Sequence, residues 1–156
     1  MQKAGFTRIL FGIAAFAVAA SALAEGALQM RDARAIATVP GQSVAAAYMT
    51  IASPSAARIV SAKSDAAESV QIHVMSMQDG IMRMRRLEVL DLPAGREIRL
   101  APGGTHVMLA GLKHPLRAGG AVALRLAVVG ADGARRIVRL TLPVVDAGLG
   151  QVGHHD

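Results

Sequence analysis

The chain has 156 residues, a formal net charge of +6 and 53% hydrophobic residues, which suits one folded domain and is too apolar for a disordered chain. It contains no Cys and no Trp, one Tyr, three Phe and eight Met. Without Cys there is no disulfide scaffold, no Cys-ligated zinc or iron–sulfur site, no Cys nucleophile and no lipid-anchored N-terminal Cys; a blue-copper centre is also excluded, because it needs a thiolate.

Residues 1–24 read as a secretory signal peptide. Lys3 and Arg8 make a short basic start, Ile9 to Ala20 is an apolar run, and Ser21-Ala22-Leu23-Ala24 puts small residues before a cut ahead of Glu25. The run is shorter than the about 20 apolar residues of a membrane-spanning helix. The expected location is therefore periplasmic, with no stable membrane insertion after cleavage. The formal charge then falls from +6 to about +4 as Lys3 and Arg8 leave. Tyr48 is left as the only aromatic residue apart from His. Export and the shortage of stacking aromatics argue against nucleic acid as the partner.

From residue 25 onward, Gly and Pro punctuate the chain at short intervals, with Pro40-Gly41, Pro54, Gly80, Pro93, Pro102-Gly103, Pro115, Gly119-Gly120 and Gly130 marking turns. The Val-, Ile-, Leu- and Thr-rich runs between them predict strands at Ala33–Val39, Ser43–Ala52, Arg58–Ser64, Val70–Met77, Met82–Leu90, Glu97–Leu100, Thr105–Leu112, Ala121–Val129 and Arg136–Val145. Period-two alternation is clearest in the last two. The pattern predicts an all-β sandwich or barrel of about eight or nine strands over residues 25–146, followed by a flexible tail at 147–156.

Histidine and methionine are placed unevenly. Met75, Met77, Met82 and Met84 fall close together, just after His73, and His106-Val107-Met108 forms a second group. In a strand, residues i and i+2 share a face, so His73 lies beside Met75, Met82 beside Met84, and His106 beside Met108. Imidazole with thioether is a soft, neutral donor set that suits Cu(I) and disfavours Mg²⁺ or Ca²⁺. Zinc would use Cys or carboxylate beside His. Met is also a common core filler, and a single strand His is more often structural. The residues alone leave both readings open.

The stretch from His73 to Met84, followed by Pro102-Gly103-Gly104-Thr105-His106-Val107-Met108, resembles the periplasmic copper chaperones of the PCuAC family. Their signature is His, ten residues, Met, 21 residues, His-x-Met, and His73, Met84, His106 and Met108 meet every spacing. The resemblance extends over roughly Ala33 to Val145. It implies a cupredoxin-like β-sandwich that binds one Cu(I) per chain through His73, Met84, His106 and Met108. It also implies delivery of that ion to the copper-accepting subunit of a respiratory cytochrome c oxidase, or to another copper chaperone. Many members place Met directly after the first His; here Val74 stands there and Met75 follows, which makes Met75 the candidate auxiliary ligand. Family members often carry a His- and Met-rich C-terminal extension that takes Cu(II). Here the tail offers His154 and His155 beside Asp156, an N and O set suited to that ion.

Catalysis finds little support. The chain has no Gly-x-Ser-x-Gly elbow, no phosphate-cradling loop and no His-Glu-x-x-His helix. The expectation is a copper carrier and not an enzyme. The alternatives are a periplasmic copper buffer or resistance protein, or a β-sandwich interaction module whose His and Met are structural.

Overall fold

Alternation sets the strands. In the segment Val44–Ala52 half-buried and buried residues alternate without a break, the signature of a strand with one face on a core. The computed structural model describes residues 27–148; the predicted signal peptide and the tail histidines His154 and His155 lie outside the described residues. Ten strands form: β1 Gln29–Ile36, β2 Val44–Ala52, β3 Ala57–Lys63, β4 Ala67–Gln78, β5 Ile81–Leu87, β6 Leu90–Leu92, β7 Glu97–Leu100, β8 Thr105–Leu112, β9 Ala121–Gly130 and β10 Arg135–Val145.

Three elements differ from the sequence expectation, the simplest being β4, which begins at Ala67 rather than Val70. The run Met82–Leu90 is not one strand. β5 pairs with β4, whereas β6 pairs with β3, so the chain leaves one partner for another at Glu88 and Val89. The environment changes with the partner: β5 is exposed along nearly its whole length, while Leu90 and Leu92 are buried. The first strand starts earlier, at Gln29, and ends at Ile36 rather than Val39. Gln29, Met30 and Arg31 pair with Ala52, Ile51 and Thr50 ahead of a bulge, where Asp32 has φ 53°. Leu28 and Met30 alternate with Gln29 and Arg31 and pack half-buried against the core, a run too short to stand out before the pairing with β2 is known.

The sheet closes on itself. Its hydrogen-bonded order runs β4-β8-β2-β1-β10-β9-β3, and a single pairing, Ala62 opposite Val70, returns β3 to β4. β5, β6 and β7 attach outside that circuit, to β4, β3 and β2. β1 runs parallel to β10, and the other strand pairs of the described residues are antiparallel. Closure removes most strand edges, which would otherwise template pairing with other chains.

The interior is aliphatic. Met49, Ile51, Ile59, Leu92, Leu109, Leu124, Leu126 and Leu142 are fully buried there. Each such side chain contributes about 1.5–3 kcal/mol of transfer free energy relative to exposure. On the wall formed by β4 and β8, Ile72, Val107 and Leu109 are buried in this core. Period two then sends His73, His106 and Met108 to the opposite face of the same two strands.

Candidate metal centre

The turn at Asp79-Gly80 fixes the first half of the site. Both residues have positive φ, 52° and 74°, and Gln78 pairs with Ile81 across them. A two-residue Asp-Gly loop of this kind matches the twist of a hairpin and leaves no freedom of register. Met77 is therefore opposite Met82, Met75 opposite Met84, and His73 opposite Arg86. Met84 is the diagonal neighbour of His73, and its sulfur Sδ lies 3.2 Å from His73 Nδ1. The ten-residue gap between His and Met in the sequence is thus the length needed to go up one strand, around the turn and back to the diagonal position.

The β4–β8 pairing fixes the second half. His73 is directly opposite His106, and Gln71 is opposite Met108. The two imidazoles meet edge to face, with centroids 6.0 Å apart and planes at 71°. Met108 lies two residues along from His106 on the same face. Register therefore gathers His73, Met84, His106 and Met108 on one face of three adjacent strands, with Met75 beside them, opposite Met84. His154 and His155 lie outside the described residues. His114 is exposed in the turn after β8.

Each imidazole has one nitrogen engaged by an acceptor. His106 Nδ1–H donates to the Gly104 carbonyl at 3.1 Å, which leaves the Nε2 lone pair for a ligand. The same carbonyl accepts the Met75 N–H at 3.2 Å and ties the start of β8 to β4. His73 Nε2–H donates to Gln71 Oε1 at 2.9 Å, which leaves the Nδ1 lone pair facing the Met84 sulfur. These tautomers follow from the partners, since an amide or backbone oxygen only accepts. Outer partners of this kind commonly orient metal-binding histidines. For an ion with M–N and M–S bonds near 2.0 and 2.3 Å at a tetrahedral angle, the two donor atoms would sit about 3.5 Å apart. The Nδ1–Sδ separation is close to that value.

The electrostatics favour neutral donors. Burial holds the His73 imidazole below its ordinary range, and the neighbouring His106 and Arg86 push in the same direction. Arg86 is itself paired with Glu88 at 3.3 Å. Among the described residues no three of His, Cys, Asp and Glu come together to hold a metal. An ion bound here would rely on thioethers as well as imidazoles. The site is graded from closed to open: His106 is 6% exposed, His73 and Met108 are half-buried, and Met84 is 50% exposed.

Sequence reasoning missed three contributors: Gln71, the Gly104 carbonyl and Arg86. Gln71 carried a usable signal, since it stands two residues before His73 and so on its face. Gly104 is likewise two residues before His106. Arg86 is revealed only by the hairpin register.

Comparison with known proteins adds family context. A family described as "Putative lipoprotein LpqE-like" matches residues 28–142. The "Putative lipoprotein Lxx21020" of Leifsonia xyli subsp. xyli is 42% identical over 69 residues, which is 44% of this chain and 42% of that protein, so the match spans less than half of this relative. The solution structure of apo-DR1885 from Deinococcus radiodurans is 27% identical with a TM-score of 0.58, covering 97% of this chain and 98% of that one. Its CuI form is 28% identical with a TM-score of 0.58, over 86% and 85% of the two chains. A copper-bound PCuAC domain from PmoF2 shares the fold at 22% identity and a TM-score of 0.61, over 76% of this chain and 92% of that one. The barrel is accordingly of the cupredoxin-like class expected from the sequence. With the family match running from residue 28 to 142, most of its length, the chain belongs to the LpqE-like family.

Proposed function

We propose that the protein is a copper carrier of the cell envelope, exported by its signal peptide. It holds one Cu(I) through His73, Met84, His106 and Met108 and passes the ion to the copper-accepting subunit of a respiratory cytochrome oxidase or to another copper chaperone. One observation carries this reading: a neutral donor set converges on one sheet face. The Met84 sulfur lies 3.2 Å from His73 Nδ1, and the other nitrogen of each imidazole region is oriented by an acceptor, Gln71 for His73 and Gly104 for His106. The likeness to DR1885, whose CuI form has been solved, supports the choice of ion. So does the absence of a hard-ligand cluster among the described residues. Among those residues no helix is long and apolar enough to cross a membrane.

The chemistry suits transfer. Imidazole must be neutral to bind a metal, and the environment of His73 keeps it so. Thioether and neutral imidazole bring no charge to the ion, so an acceptor offering thiolates gains a Coulombic advantage at each exchange. Met84, on the exposed edge strand β5, is the ligand an acceptor reaches first. His106, buried, is the last to let go. Met75 stands opposite Met84 and can replace its sulfur as that ligand leaves. The function is binding and transfer, with no bond of a substrate made or broken by the protein.

The test is a Cu(I) competition titration against a chromophoric chelator, anaerobic and reducing, followed by mixing the loaded protein with a dithiol acceptor peptide. The expected result is a stoichiometry of one, lost in His106→Ala and Met84→Leu, and rapid movement of copper to the peptide. Failure to compete with the chelator would overturn the copper reading. Tight binding with no release to the dithiol would replace delivery by storage.

A further inference from the structure

Two methionines of the hairpin have no place in the four-ligand site. Met77 and Met82 are directly opposite each other in the last pair but one before the Asp79-Gly80 turn, and they are 67% and 60% exposed. They therefore do not act as core filler, the usual reason for Met. They point to the same face as Met75, Met84 and His73, because strand residues two apart share a face. Arg83 and Arg85 point to the other face. β5 is the edge of the sheet, so no further strand covers the pair. Directly opposed strand residues have Cβ atoms about 4.5–5.5 Å apart, within reach of two flexible thioethers closing on one ion.

The result is a ladder with three rungs: His73–His106, Met75–Met84 and Met77–Met82. Successive rungs are two residues apart, about 7 Å along the strands. The middle rung contains Met84, a member of the four-ligand set. We propose that Met77 and Met82 form a second, weaker soft-metal station at the hairpin tip, through which Cu(I) enters and leaves the inner site by way of Met75 and Met84. The inference rests on the Cu(I) reading of the inner site. Thioethers alone still select Cu(I) over hard ions. With no imidazole the outer station holds the ion less tightly than the inner one, which sets the direction of loading. Each step breaks one Cu–ligand bond as another forms, Cu–S giving way to Cu–N on the way in and the reverse on the way out, and copper remains Cu(I) throughout, so no oxidant or reductant is needed.

The test uses protein labelled with ¹³C at the Met methyls, with resonances assigned by single Met→Leu variants and titrated anaerobically with Cu(I). The first equivalent should shift Met84 and Met108. The second should shift Met77 and Met82. Both positions are exposed, so the double variant Met77→Leu, Met82→Leu should fold as the parent does. It should keep the first phase, lose the second, and release Cu(I) to a competing chelator several-fold more slowly. Met77 and Met82 methyls that stay still through excess Cu(I), while Met84 and Met108 respond, would overturn the outer station and leave the inner site standing. A double variant with unchanged titration phases and release rate would do the same. Silence of Met84 and Met108 would instead remove the inner site on which the inference rests.

Discussion

Replacing Gln71 by Leu should weaken Cu(I) binding without unfolding the protein. Gln71 supplies one contact to the site, from Oε1 to His73 Nε2 at 2.9 Å. That contact selects the tautomer with a free lone pair at Nδ1, beside the Met84 sulfur. Loss of an outer partner of a metal-binding His typically costs 10–100-fold in affinity, about 1.4–2.7 kcal/mol. The side chain is half-buried, so the fold loses one hydrogen bond of about 0.5–1.5 kcal/mol, partly offset by the more apolar Leu. The assay is chelator competition at fixed pH, read together with the ¹⁵N shifts of the His73 ring, which report the tautomer. Gln71→Glu should restore the acceptor and raise the His73 pKa, since a carboxylate there favours imidazolium. An unchanged affinity in Gln71→Leu, with the His73 tautomer also unchanged, would refute the orienting role.

Further outcomes follow from the same geometry. His73 titrates below its ordinary value of 6.5 in the folded protein, chiefly through burial, so the unfolded chain takes up that proton first as pH falls. Stability of the metal-free protein should be full above about pH 6.5 and decline from there toward the folded value; urea unfolding should show a shallower decline in His73→Asn, and equal slopes would contradict the shift. Gly80 has φ 74° with open space around it, so Gly80→Ala should cost only the left-handed backbone penalty of about 1–2 kcal/mol, and Gly80→Asn much less. Chemical denaturation checks both, and an Ala variant as stable as the parent would rule out this turn. Leu124 is fully buried on β9, so Leu124→Ala should lose about 2–5 kcal/mol while still binding copper below its lowered Tm; loss of binding in the folded variant would mean the core and the site are coupled.

How much could be read from the sequence depended on the range of the interaction. Val44–Ala52 and Ala121–Gly130 could be read as strands because their own alternation records which face is buried. All four ligand positions were legible as a spacing motif through the family resemblance, and the Asp79-Gly80 turn that brings His73 and Met84 together is local and was legible as a turn. The pairing of His73 with His106 was not, because it depends on the register between two strands with the whole of β5, β6 and β7 between them. The same limit hid the handover of the chain from β4 to β3 at Glu88 and Val89. It hid the pairing of Gln29–Arg31 with β2 and the closure of the barrel through Ala62 and Val70. Gln71 escaped for another reason: a Gln beside a His on a strand is commonplace, and only the 2.9 Å contact gives it a role.

Copper K-edge X-ray absorption of the Cu(I)-loaded protein tests the four-ligand site most directly. A first shell of two imidazole nitrogens and two sulfurs is expected at one equivalent, with one sulfur lost in Met108→Leu and imidazole scattering reduced in His106→Ala. A shell of nitrogen and oxygen alone, or one that neither substitution changes, would contradict it.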